Sequence, residues 1–208
     1  FAPDKPIQQY HSFRIRNEDD DWQLARMRDR IVNELAAETH AGRASYRNVA
    51  AFINGQYWGH YVARERLDNY FVRDNYGADP DSVNMVKTYF NLNLGITQDV
   101  AETGNLDDFE AMSGFIANNN MADAGNFKQA SQLLDLENFT DYLETEIFVA
   151  STDWLQDYYN NIRLFKSHKT DPWKFLLWDV SYSSGNPLGG STRVGCDVLG
   201  STLGNSSR

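Results

Sequence analysis

Residues 48–64 read Asn48-Val-Ala-Ala-Phe-Ile-Asn-Gly-Gln-Tyr-Trp-Gly-His-Tyr-Val-Ala-Arg64, two apolar, β-rich runs on either side of Asn54-Gly55. Both central residues of a tight type I′ turn need positive φ, which Asn and Gly tolerate best, so this stretch predicts a β-hairpin. Upstream, Tyr10 to Arg16 alternates Phe13 and Ile15 with Arg14 and Arg16, as a short strand does. Asn17 to Asp21 then breaks the strand and supplies capping oxygens. Trp22, Leu24, Met27, Ile31 and Leu35 recur at near-helical spacing, which predicts an amphipathic helix to about His40.

Downstream of the hairpin, Glu65 to Tyr76 carries Leu67, Tyr70 and Phe71 on one face and stops at Gly77, so a helix is expected there. Residues 105–150 are helical in pattern, with breaks at Asn118-Asn119-Asn120 and Ala124-Gly125. Two extended runs follow, Asn161 to Lys166 and Trp173 to Trp178, which alternate as a strand pair should. The order is strand, helix, hairpin, helix, several helices and a terminal strand pair, an α+β chain with a β-rich first part and a helical second part.

The 208 residues are enough for one substantial domain with a real core. A formal net charge of −10 repels a phosphate backbone, so nucleic acid is not the expected partner. A nucleotide is still compatible, since divalent cations and local Arg or Lys neutralise a triphosphate. The single cysteine, Cys196, excludes an intrachain disulfide and a Cys-based zinc cluster. The four histidines lack ligand spacing, and neither a Gly-x-Ser-x-Gly elbow nor a Walker-type loop occurs. No run is long and apolar enough to span a bilayer, and the first residues carry no signal-peptide pattern.

The residues with chemical promise gather around the terminal strand pair. Asp153 follows the last helix, Asn160 and Asn161 open one strand, and Asp179 ends the other before Ser183-Ser184-Gly185. Pairing of the strands brings carboxylate and amide oxygens to one end of the hairpin, the hard-oxygen chemistry that Mg²⁺ prefers. Protein kinases order a base Asp, a metal-binding Asn, a strand pair and a metal-binding Asp in the same way. From spacing alone the alternative stands beside it, in which Asp153 caps a helix and the others occupy turns.

The whole series resembles the CotH (spore coat protein H) kinase family, an atypical protein-kinase-like fold. It comprises Phe13-Arg-Ile-Arg-Asn17 with Asp21-Trp22, Arg28-Asp29, Phe52 to Tyr61, Arg64-Glu65-Arg66, Thr152-Asp153-Trp154, Asn160-Asn161 and Trp178-Asp179. The resemblance implies residues 1–187 as the kinase domain, lacking its first strands, and 188–208 as a Gly/Ser-rich loop or linker. It implies a small β-rich N-terminal part and a mainly helical C-terminal part ending in the hairpin that bears the metal site. By resemblance Asp153 is the catalytic base, Asn161 with Asn160 and Asp179 are ligands of Mg²⁺ or Mn²⁺, and Trp173 and Tyr57 hold the adenine of ATP. Arg16 and Glu65 are weaker nucleotide-site candidates, as a phosphate clamp and a cation orienter.

The implied reaction is transfer of the ATP γ-phosphate to Ser or Thr of secreted or coat proteins, in an extracytoplasmic, cell-surface or spore-coat setting. Two features depart from the family. Ser181 stands where a second Asp is commoner, and Asp157 competes with Asp153 for the role of base. A catalytically weak or inactive pseudokinase serving as a coat or adhesion module is the alternative, and a carboxylate-pair glycosidase is a third reading from the acidic, aromatic-rich composition.

Overall fold

The computed structural model describes residues 5–18, 21–155 and 159–184. Asp157, Gly185 and the expected linker 188–208 therefore lie outside the described residues. The Asn-Gly hairpin forms as expected: β2 (Tyr46–Ile53) turns through Asn54 and Gly55, at φ 50° and 80°, into β3 (Gln56–Glu65). The short strand β1 (Phe13–Arg16) adds antiparallel to β3, pairing Phe13 with Glu65 and Arg16 with Val62, so the first sheet has the order β1-β3-β2.

Helix α1 is shorter than its apolar periodicity predicts, running Arg28–Leu35 with a 3-10 turn at Ala36–Glu38. The cause is Asp21, which is fully buried and whose carboxylate accepts the backbone N–H groups of Ala25, Met27 and Arg28. A side chain that takes up backbone donors in this way competes with the helical ladder. The same carboxylate pairs with the Arg28 guanidinium and caps α1 from six residues upstream of Met27. The helix is also turned inside out. Met27, Ile31 and Leu35 are exposed, while Asp29, Val32, Asn33 and Ala36 face inward.

Beyond β3, helix α2 (Asn69–Tyr76) starts later than expected, because Asp68 is its N-cap, accepting from Tyr70 and Phe71 N–H at 3.0 Å each. Glu65 belongs to the strand rather than to this helix. Two further strands, absent from the sequence reading, follow: β4 (Asn84–Asn91) and β5 (Ile96–Thr103). Helices α3 (Asp107–Asn118), α4 (Ala124–Leu133) and α5 (Leu136–Phe148) occupy the expected helical stretch; the first break falls at Asn119 as expected, whereas Ala124-Gly125 opens α4 behind the Asp123 cap and the second break is at Leu134-Asp135.

The terminal pair, β6 (Ile162–Lys166) and β7 (Lys174–Leu176), forms with Arg163 opposite Leu176 and Phe165 opposite Lys174. It is not isolated, since β4 pairs with β6 and the second sheet has the order β5-β4-β6-β7. A core of Tyr46, Val62, Phe71, Val72, Met85, Phe165 and Leu176 lies between the sheets. A second core, with Val32, Tyr142, Trp154, Leu177 and Val180, ties α1 and α5 to the segments that follow α5 and β7.

Gly42 is the seam between these parts. Its N–H donates to Phe175 O at 3.1 Å and its carbonyl accepts from Leu177 N–H at 2.7 Å. A Cβ there would meet the Leu176 side chain and stand 2.8 Å from Phe175 O, so the approach requires glycine.

Candidate active site

The segment after α5 is held on both sides of Asp153. Thr152 N–H and Oγ1 both donate to Tyr182 O, at 3.0 and 2.9 Å, and the buried Trp154 indole donates to Tyr142 Oη at 2.8 Å. Asp153 itself is half-buried, and its carboxylate accepts Asn160 Nδ2 at 2.9 Å on Oδ1 and Asn161 Nδ2 at 3.0 Å on Oδ2. Three of the four expected catalytic and metal-site residues, Asp153, Asn160 and Asn161, thus meet at the start of β6.

The two asparagines differ in what remains to them. Asn160 Oδ1 accepts Phe90 N–H from β4 at 3.0 Å, so that side chain is spent on tying the segment to the sheet. One lone pair of this expected metal ligand is thereby taken up. Asn161 has both of its amide-nitrogen bonds directed at Asp153 and takes a left-handed backbone, φ 52°.

Asp179 follows β7 at the same end of the β6–β7 ladder, also left-handed, at φ 55° and ψ 51°. With Arg16, Glu18, Asp29, Arg64 and Ser181 it lines a cavity of about 10 Å³. That is room for about one water-sized sphere. Burial and the Asp29 carboxylate raise the Asp179 pKa, against the pull of Arg16 and Arg64. Burial and Asp29 also push Glu18 up to about 7. Ser181 Oγ donates to Asp179 Oδ1 at 3.3 Å. Among the described residues, no three His, Cys, Asp or Glu side chains gather closely enough to hold a metal by themselves.

Beside Asp179, Trp178 lies under three guanidinium groups, those of Arg163, Arg64 and Arg14 at 4.0, 5.0 and 5.8 Å from its ring. Arg163 is anchored to Leu67 O at 3.0 Å and to Glu102, yet its Nε, like Arg64 Nη2, is buried without a hydrogen-bond partner. Both guanidinium groups meet the Trp178 ring face, a cation–π contact that partly offsets the burial of their charge. Arg163 and Arg14 also line a polar cavity of about 490 Å³ with His11, Ser12, Arg66 and Asn69.

The other sequence candidates fare differently. Arg16 lines the small cavity with Asp179. Trp173 does not offer a face to adenine: it is 1% exposed, packed with Leu134, Leu164 and Met112 and edge-on to Phe109. Tyr57 is 59% exposed at the far end of the β2–β3 ribbon, edge-on to Phe52, and lines neither cavity. Glu65 is consumed structurally, accepting Ser45 N–H and Lys5 Nζ at 2.7 Å each and Asn75 Nδ2 at 3.0 Å. It cannot orient a cation from there.

Sequence reasoning missed Glu18, Asp29, Arg163 and Trp178 as parts of one site. Their only signal was the presence of Arg28-Asp29 and Trp178-Asp179 among the motifs, because the contacts join distant residues, such as Asp29 and Val180, 151 positions apart.

Comparison with curated proteins finds no match to this chain. The family model described as CotH kinase protein matches residues 3–194, which take in β1, both sheets, Asp153, the asparagine pair and Asp179. The chain belongs to the CotH kinase protein family.

Proposed function

We propose that this chain is an atypical protein kinase that transfers the γ-phosphate of ATP to a Ser or Thr hydroxyl of a secreted or coat protein. The observation that carries the reading is the Asp153 carboxylate, fixed by two asparagine amides at the strand-pair end to which Asp179 also belongs, in a chain of the CotH kinase family. Asp153 accepts the proton of the attacking hydroxyl, and the amides of Asn160 and Asn161 keep it oriented. Asp179 and the Asn161 carbonyl oxygen hold Mg²⁺ or Mn²⁺. A half-buried carboxylate whose pKa burial has raised is a group short of positive charge, and it suits a divalent cation. The cation, when bound, neutralises charge on the phosphate oxygens.

The nucleotide occupies the 490 Å³ cavity lined by Arg14, Arg66 and Arg163, with its phosphates directed toward the smaller cavity that Arg16 and Arg64 line with Asp179. Guanidinium groups with unspent buried donors suit phosphate oxygens. This replaces Trp173 and Tyr57 as the nucleotide grip. Asp179→Ala is expected to abolish Mn²⁺-dependent ATP binding in calorimetry, and undiminished binding in that variant would remove Asp179 from the role.

A second reading, a pseudokinase used as a coat or surface module, is favoured by one observation. Ser181 meets Asp179 with a neutral hydroxyl, so the pair offers one charge in place of two. Thermal shift separates the readings, since a ligand that binds only the native state raises apparent stability. No rise in Tm with Mn²⁺ and ATP supports the module. For location, no helix among the described residues is long and apolar enough to cross a membrane. An extracytoplasmic or spore-coat setting follows from the family reading.

A further inference from the structure

Asp179 sits in a backbone conformation that costs a non-glycine residue energy, so something must hold its turn. On the upstream side, Leu177 N–H is tied to Gly42 O at 2.7 Å. On the downstream side Val180 N–H donates to Asp29 Oδ1 at 3.1 Å, ahead of the ties that Tyr182 O and Ser184 N–H make to Thr152 and Val149. The other oxygen of Asp29 accepts Tyr46 Oη at 2.6 Å and Arg64 Nη1 at 2.8 Å. One carboxylate, 5% exposed, therefore binds α1 to β2, to β3 and to the amide that follows Asp179.

We propose that Asp29 is the positioning residue of the cation site: through Val180 N–H it fixes where the Asp179 carboxylate points, and through Arg64 it fixes the guanidinium beside it. The inference rests on the reading of Asp179 as the cation ligand. Asp29 has no need to touch the cation. A charged acceptor makes a stronger bond to a backbone N–H than a neutral one does, which suits a strained turn. The other two Asp29 partners belong to the first sheet, so α1 serves as the lever between that sheet and the Asp179 turn. This also accounts for the inverted face of α1, where Asp29 and Asn33 point inward and Ile31 and Leu35 outward. Asn33 supports the lever by donating to Asp29 O at 2.8 Å and accepting Ala44 N–H at 3.0 Å.

The test is the affinity of the full chain for Mn²⁺ with a non-hydrolysable ATP analogue, by calorimetry, in Asp29→Ala, Asp29→Asn, Tyr46→Phe and Asp179→Ala. Removal of a group that orients a metal ligand lowers affinity by about 10- to 100-fold, which is the loss expected for Asp29→Ala. Asp29→Asn keeps an oxygen for Val180 N–H and should fall between Asp29→Ala and the wild type. It also decides the matter if the alanine variant does not fold. Tyr46→Phe removes a different bond of the same carboxylate. It should lower Tm while leaving the affinity unchanged, which a merely structural role of Asp29 does not predict.

Wild-type affinity in folded Asp29→Ala and Asp29→Asn, with binding lost in Asp179→Ala, would overturn the positioning role. So would an equal loss of affinity in Tyr46→Phe. Undiminished binding in Asp179→Ala is a different failure, that of the functional reading itself.

Discussion

Asn160 and Asn161 stand side by side in sequence and donate to the same carboxylate, but their oxygens differ in what they meet. Asn160 spends its carbonyl on Phe90 N–H, whereas Asn161 keeps its own. Removing Asn160 leaves a backbone N–H unsatisfied, at a cost of about 1–3 kcal/mol. Asn160→Ala should therefore lower Tm clearly, while Asn161→Ala should lower metal-dependent nucleotide binding with a smaller change in Tm. Thermal melts and calorimetry on the two variants check this, and identical behaviour would speak against the division. That Asp153, Asn160 and Asn161 meet was legible from their order, because they lie within eight positions of one another. Trp173 was not. An aromatic residue at the mouth of a strand reads the same whether it stacks on a ligand or fills a core, and here it fills one.

At the scale of elements, local chemistry was readable wherever it closed within a few residues. Asn54-Gly55 dictated a hairpin, Gly77 a helix end, and the β6–β7 alternation a strand pair. The extent of α1 was hidden because the Asp21 carboxylate takes the N–H groups that would have begun the helix, and because a buried polar network inverts the amphipathic rule. The pair β4–β5 was hidden because Lys87, Asn91, Asn93 and Asp99 interrupt its apolar residues, and β4 owes its place to pairing with β6. The seam at Gly42 belongs to this scale. Gly42→Ala must push β7 away from the loop, and overpacking of this kind costs about 1–3 kcal/mol. Chemical denaturation should show a lower midpoint, and an unchanged one would mean that the two parts are not joined there.

Over the whole molecule, the site is assembled where the two sheets, α1 and the segments after α5 and β7 converge, and the convergence is expensive in buried acid. Glu146, 1% exposed at the end of α5, has its pKa pushed up to about 8, mainly by burial, and Glu18 is raised to about 7. In the folded state these groups hold protons that the unfolded chain releases from about pH 4.5, the ordinary value for Glu. Over that window the native state binds more protons, so stability falls as pH rises. Between about pH 5 and about pH 8, Tm should decline, and Glu146→Gln should flatten the upper part of the decline by removing the group that must ionise. A wild-type Tm that climbs over the same interval would contradict this assignment of the buried carboxylates.

The most direct test of the account is phosphate incorporation from γ-labelled ATP with Mn²⁺ or Mg²⁺, measured on the full-length protein beside Asp153→Ala. The account predicts that labelling falls by about 10²- to 10⁴-fold in the variant, the range for loss of a general base, while Mn²⁺-dependent nucleotide binding is kept. Equal labelling of the two proteins, or loss of nucleotide binding together with labelling, would contradict the role given to Asp153.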